Sequence, residues 1–317
     1  MKPIIKLTIL FLLLILGIIL FLTFDIDLNN TYAINKRSIR LWSMILVGIS
    51  VAFSSVIFQT LTTNRILTPS IMGYESIFIL FQTIIVFIYG DKAFKVITHQ
   101  ENFVYAIILM LIFSVFMYYL MFGKEKRGML HLLLLGMVMG TLFQTLSQFM
   151  HVLIDPNEFS MVQNFMFVSF SKMNTSLLLI ASGTMIITLI YCGFQIRYLD
   201  VLALGRDHAI NLGLNYDKIV RRFMLIISVF VSVSTALVGP ITFLGILVSN
   251  LTYELFNTRK HKHMLWISSL VACVFLIVGQ FLVEHLFSFS TTVSIIINFI
   301  GGVYFIYLLW ITRKRIS

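Results

Sequence analysis

Charge is what this sequence has least of: 11% of its 317 residues are Asp, Glu, Lys or Arg, against 59% hydrophobic. Soluble domains carry roughly 25% charged residues. At a mean hydropathy of +0.98, too few polar side chains exist to coat a water-soluble globule. A cytosolic enzyme and a disordered tail are both excluded. Cysteine is nearly absent, and Cys192 and Cys273 each sit inside an apolar run, so a disulfide scaffold is excluded too. Proline occurs only 4 times, and the apolar runs are long rather than short and alternating, which argues against a membrane barrel. What remains is an all-α integral membrane protein.

The chemistry of catalysis is also missing. No G-x-x-x-x-G-K-[ST] loop occurs, so the chain has no usual route to ATP hydrolysis. There is no H-E-x-x-H and no Cys or His cluster with zinc spacing. His261 and His263 form an H-x-H, but within Arg259-Lys260-His261-Lys262-His263, which reads as a solvated basic loop rather than a metal site. The 13 Asp and Glu fall at the ends of apolar runs or between them. Ion-coupled transporters and intramembrane acid proteases bury carboxylates in their bundles, so a self-contained secondary transporter loses support. A lipid-modifying enzyme would need a catalytic cluster, and none is visible.

What is present is a series of hydrophobic runs. A helix needs roughly 20 apolar residues to cross the hydrocarbon core. Ten runs qualify, some marginally: about 4–24, 39–61, 71–90, 103–122, 129–152, 176–195, 219–239, 241–255, 264–283 and 295–311. The eighth is short and joined to the seventh by Gly239-Pro240, so a partial span is expected there. The first could be a signal peptide, but Phe24-Asp25-Ile26-Asp27 offers no small-residue cleavage site, and it is read as a mature helix. With an N-terminus inside, seventeen of the 23 Lys and Arg fall on the cytoplasmic side, among them Lys2, Lys124, Lys126, Arg127 and Arg259. Six, namely Lys36, Arg37, Arg40, Lys92, Lys95 and Lys172, fall outside. That bias supports two cytoplasmic termini and explains the net charge of +10 without a nucleic-acid partner. The longest polar stretch, Arg197 to Lys218, is too short for a second domain, so residues 1–317 form one transmembrane unit.

The fifth run carries polar residues at helical spacing. Thr141, Gln144, Thr145 and Gln148 share one face, and Gly136 and Gly140 form a G-x-x-x-G that permits close helix approach. The face is open to two readings: hydrogen bonding between helices, or a neutral lining for a hydrated pathway.

Four stretches then become recognisable. In QTLTTNRILTPSIMG, Gln59, Asn64, Pro69 and Gly73 follow a Gln and N-P-L-A-x-P-x-x-L-G pattern, with Arg65 in place of Pro; upstream, Arg37 and Arg40 in RSIR follow R-x-P-R. Leu202-Ala203-Leu204-Gly205, Ala209 and Leu212-Gly213 follow L-A-L-G-E-x-x-A-x-x-L-G, with Arg206 in place of Glu. Gly239, Phe243 and Gly245 follow G-x-I-x-F-x-G-L-x-x-P-H, with Ser249-Asn250 for Pro-His and Tyr253 where Arg is frequent. Ile300-Gly301 and Phe305 follow I-G-x-P-x-F, while Glu284 stands at a frequent Arg and Thr292-Val293-Ser294 replaces Pro-Val-Gly. In this order, from about residue 37 onward, the chain resembles the permease family of binding-protein-dependent ABC importers for iron–siderophore complexes, haem and cobalamin. NRILTPSIMG resembles its petrobactin/anguibactin-like branch.

The resemblance implies a type II importer permease of about ten helices in the bacterial plasma membrane. It implies a second permease subunit, two cytoplasmic ATPase subunits and an extracytoplasmic siderophore-binding protein. ATP and Mg would sit on the ATPases, and this chain would bind no cofactor. The segment at about 200–214 would dock on an ATPase, with Ala203 and Ala209 keeping a knob small and Gly205 and Gly213 ending short helices. Gln59 and the fifth-run face would line the pathway. Arg37 and Arg40 would meet acids of the binding protein, or simply snorkel at their helix head. Two copies of Glu284 would bring like charges to the docking face, which favours a heterodimer.

Overall fold

The computed structural model describes residues 3–25, 30–122, 129–170, 173–256, 258 and 260–316. Of the charges used above for orientation, Lys2, Lys124, Lys126, Arg127, Lys172 and Arg259 lie outside the described residues. The chain folds into helices α1 (Pro3–Thr23), α2 (Thr31–Thr62), α3 (Tyr74–Tyr89), α4 (Ala93–Val96), α5 (His99–Phe122), α6 (Met129–Leu153) and α7 (Pro156–Met166). These are followed by α8 (Thr175–Leu202), α9 (Arg206–Asn211), α10 (Tyr216–Val238), α11 (Leu244–Phe256), α12 (His261–His285) and α13 (Val293–Ile316). Among the described residues, eight helices are long and apolar enough to cross a membrane, and Leu244–Phe256 and Val293–Tyr307 are shorter apolar helices. Each of the ten hydrophobic runs thus finds a helix. The short eighth run is α11, whose 13 residues rise only about 20 Å.

Helix α7 is not foreshadowed by hydrophobicity. It rests on local chemistry: Asp155 accepts a hydrogen bond from the Asn157 N–H at 2.9 Å, and Pro156 occupies the first turn, where its missing N–H costs nothing.

Helices α2, α10 and α12 form the interior. Of the most apolar stretch of α2, 78% is buried, and 72% of that of α10, against 6% for α1. Lipid tails are as apolar as Leu, so helices here associate through close packing rather than through escape from water. Small residues allow it. A Cβ on Gly48 of α2 would come within 3.2 Å of the Cys273 backbone nitrogen of α12. The α3–α6 contact uses the same device more tightly: a Cβ on Gly136 would lie 2.8 Å from Met72 Cα, and one on Gly140 3.2 Å from Gly73 Cα. The G-x-x-x-G of the fifth run therefore packs within the subunit.

Along α2 the core divides in two. Phe53, Ile57, Phe58 and Leu61 join Leu199, Leu202, Phe223 and Leu265 toward the α9 end. Met44, Val47 and Ala52 join Phe21, Val233, Leu276 and Ile277 toward the Arg40 end. At the junction sit the buried hydroxyl residues Ser54 and Ser55.

Candidate functional site

The segment joining α8 to α10 is a short helix between two glycines. Gly205 takes φ +96° and Gly213 φ +81°, the left-handed side that favours glycine. A Cβ at either would meet nothing within 4 Å, so conformation, not space, selects glycine there. Asn215 caps α10 by accepting from the Lys218 N–H at 3.2 Å. The surface this segment offers differs from the sequence expectation. Ala209 is wholly buried, packed with Leu202 in the subunit's own core, so it is a foot rather than part of a knob. The projecting groups are Leu204, Ile210 and Leu212, all about half exposed or more, with Ala203 exposed beside them. Arg206 lies over the Tyr216 ring at 5.6 Å.

From this segment a polar chain runs inward. The Asp200 Oδ1 accepts from the His261 backbone N–H at 3.0 Å and pairs with its Nδ1 at 2.7 Å. His261 Nε2 lies 3.0 Å from Thr60 Oγ1, which spends its own proton on the Val56 carbonyl. His261 is thus 8% exposed and fixed on both ring nitrogens, not part of a solvated loop. The helix start of α12 pulls it in through its backbone N–H. These groups, with Gln59, Arg65 and Tyr253, border a cavity of about 710 Å³. Gln59 is buried and donates from Nε2 to Ser249 Oγ at 2.7 Å, while among the described residues its Oε1 has no partner.

Residues that depart from the family pattern meet one another here. The Arg65 guanidinium lies 4.4 Å above the Tyr253 ring, and Asn250 Nδ2 donates to the Arg65 carbonyl at 2.9 Å. Asn64 Oδ1 closes the same turn by accepting from the Ile66 N–H.

On α6 the polar face is where the sequence put it, and it is exposed: Thr141, Gln144, Thr145 and Gln148 all point away from the subunit. The threonines satisfy themselves on carbonyls one turn back. Among the described residues the two glutamine amides have no partner within the subunit. Bare amides facing lipid would be costly, so this face needs water or protein against it.

At the opposite end, neither arginine is free. Arg37 Nη1 donates to the Phe21 and Phe24 carbonyls, closing the end of α1. Arg40 pairs with Glu284 at 3.0 Å, and Gln280 Nε2 donates to the same carboxylate oxygen at 2.8 Å. Each guanidinium thus makes its contacts inside the subunit through Nη1 and stays part-exposed. Glu284 is not a bare carboxylate either, which removes the like-charge argument for a heterodimer.

A further correction concerns acids. Glu75, in the first turn of α3, lies inside the bundle: Ser70 Oγ donates to Oε1 at 2.7 Å and Thr242 Oγ1 to Oε2 at 2.8 Å. It joins the Pro69–Gly73 turn to the Gly239–Gly245 stretch. Gly73 (φ +86°) sets the turn. Gly245 lets Ser55 and Thr68 close in, and Gly301 admits the Phe243 side chain, so three of the four recognised stretches converge. Glu75 lies near the start of an apolar run in the sequence, and nothing local signalled its hydrogen bond to Thr242.

The sequence profile of the FecCD transport family matches residues 6–311. The chain belongs to that family. Within it, the chain is 48% identical to the petrobactin import system permease protein YclO of Bacillus subtilis over 92% of each chain. It is 32% identical to the petrobactin import system permease protein FatC of Bacillus anthracis, over 89% of this chain and 79% of that one. The fold matches a solved structure of a metal-chelate type ABC transporter in an inward-facing conformation, at TM-score 0.84 and 20% identity over 98% of this chain and 99% of that one. As a FecCD member, the chain is a multi-pass membrane permease and not an enzyme.

Proposed function

We propose that this FecCD protein is one of two permease subunits of an ABC importer that carries a ferric siderophore, of the petrobactin type, across the plasma membrane. The observation that carries the reading is 48% identity to a petrobactin import permease along nearly the whole chain. Haem and cobalamin, open from the motifs alone, are less well supported than a siderophore.

In this reading the Leu204–Leu212 segment is cytoplasmic and docks on a separate ATPase subunit, which holds ATP and Mg. Three exposed aliphatic side chains, Leu204, Ile210 and Leu212, on and beside the short helix between Gly205 and Gly213 suit insertion into a protein cleft. Nucleotide-driven motion there reaches α12 and α2 through Asp200, His261 and Thr60, and so reaches Gln59 at the 710 Å³ cavity. The α6 face, with Thr141, Gln144, Thr145 and Gln148, meets the second permease subunit or the solute path. The extracytoplasmic binding protein docks on the Arg40 end.

Glu75, hydrogen-bonded inside the bundle and part-buried, weakens one argument against an ion-driven transporter, but family membership outweighs it. Uptake of radiolabelled ferric chelate separates the two. It is expected to vanish when the ATPase is inactivated and to vanish again in Leu204→Asp/Leu212→Asp, with the permease still inserted. Uptake that survives loss of the ATPase overturns the proposal.

A further inference from the structure

We propose that the pocket around Glu75 binds one hard monovalent cation, Na+ foremost. The pocket lies where α2, the Pro69–Glu75 turn, the end of α10 and the 239–245 stretch meet, and holds a cavity of about 20 Å³. That is room for about one water-sized particle and for no organic ligand. Its polar side chains all offer oxygen: the Glu75 carboxylate, the hydroxyls of Ser54, Ser55, Ser234 and Thr235, and those of Ser70 and Thr242, which already donate to Glu75. Hard cations select such donors.

Three observations point to an ion rather than an empty pocket. First, among the described residues no basic side chain pairs with Glu75, so the positive charge that balances its carboxylate comes from outside the protein, as a cation or as a proton. Second, Ser55 and Thr235 line the cavity, and among the described residues neither side-chain hydroxyl makes a hydrogen bond, so both oxygens are open to that space. Third, Ser54 and Ser234 have turned their protons onto the Val51 and Phe230 carbonyls, which leaves oxygen lone pairs for a ligand that donates no hydrogen. With Glu75 ionised, the charge count sets the valence. One carboxylate balances one positive charge, and among the described residues no group of three or more His, Cys, Asp or Glu could hold a divalent metal. A bound ion would staple four chain segments at the junction of the two core clusters.

The test is thermal unfolding of the detergent-purified complex with its partner subunits, without substrate or ATP. It compares NaCl with N-methyl-D-glucamine chloride at equal ionic strength. Na+ is expected to raise the midpoint saturably, by about 3 °C, and Glu75→Gln to abolish the response. Thr235→Val keeps the carboxylate and is expected to weaken apparent Na+ affinity about fivefold. It also keeps the test decisive if Glu75→Gln fails to assemble, as does direct binding of radioactive Na+ to the unmodified complex. Equal melting in both salts, or a Na+ response that survives Glu75→Gln, overturns the proposal. So does stabilisation by acid alone, which would place a proton on Glu75 instead. Because no transport is measured, failure here leaves the importer reading standing, and failure of uptake leaves this one standing.

Discussion

Helices α1 and α6 both turn most of their surface away from the subunit, yet they present opposite chemistry. The outward residues of α1 between Leu12 and Ile19, among them Leu12, Leu13, Leu16 and Ile19, form an aliphatic coat. Those of α6 interleave Leu142, Leu146 and Phe149 with Thr141, Gln144, Thr145 and Gln148. Exposure in an isolated membrane subunit therefore has two meanings. An aliphatic coat is finished, because lipid satisfies it; an amide-bearing face is unfinished, because lipid cannot. The inner faces differ in the same sense. Helix α6 is pressed against Met72 and Gly73 backbone through Gly136 and Gly140, whereas α1 rests on α12 with only an ordinary 3.5 Å approach at Gly17.

The largest effect should come from that pressed contact. Gly136→Val would drive a side chain into the Met72 backbone, which cannot rotate away, and should cost about 3 kcal/mol or more. Folded protein in the membrane, measured by fluorescence size exclusion, should fall sharply; unchanged yield would mean that α6 is not held as described. Next comes the outward face. Gln144→Leu/Gln148→Leu gives α6 the coat of α1, and uptake should drop about tenfold, about 1.4 kcal/mol of lost coupling, with the ATPase still bound in pull-down. Normal uptake would show that the α6 face meets lipid after all, and the contrast would dissolve. The smallest effect belongs to α1. Arg37→Ala removes the two carbonyl contacts that close its end, for about 1 kcal/mol, and a small fall in melting temperature with intact uptake is expected. A loss of uptake would give α1 a role beyond its lipid coat.

Much of the bundle could be read from hydrophobic runs, because a membrane helix must carry its apolarity along its whole length. The glycine-bounded segment before α10 was equally legible, since Gly205 and Gly213 mark backbone conformations. What stayed hidden depends on partners far along the chain. Glu75 is enclosed by Thr242, Arg40 is spent on Glu284, and His261 is drawn in by Asp200 and Thr60. Ala209 faces the core because α9 is a single short turn docked on Leu202, and six residues carry too little periodicity to show which side faces in.

The stacking of Arg65 on Tyr253 has a consequence for anyone recombining this chain with its relatives. Each residue alone looks like an aberrant substitution, and reverting either to the usual type would strand its mate: a guanidinium without its ring, or a ring facing a proline. The couple acts as one unit, so a chimera whose join falls between Arg65 and Tyr253 should be tolerated only when both residues come from the same parent.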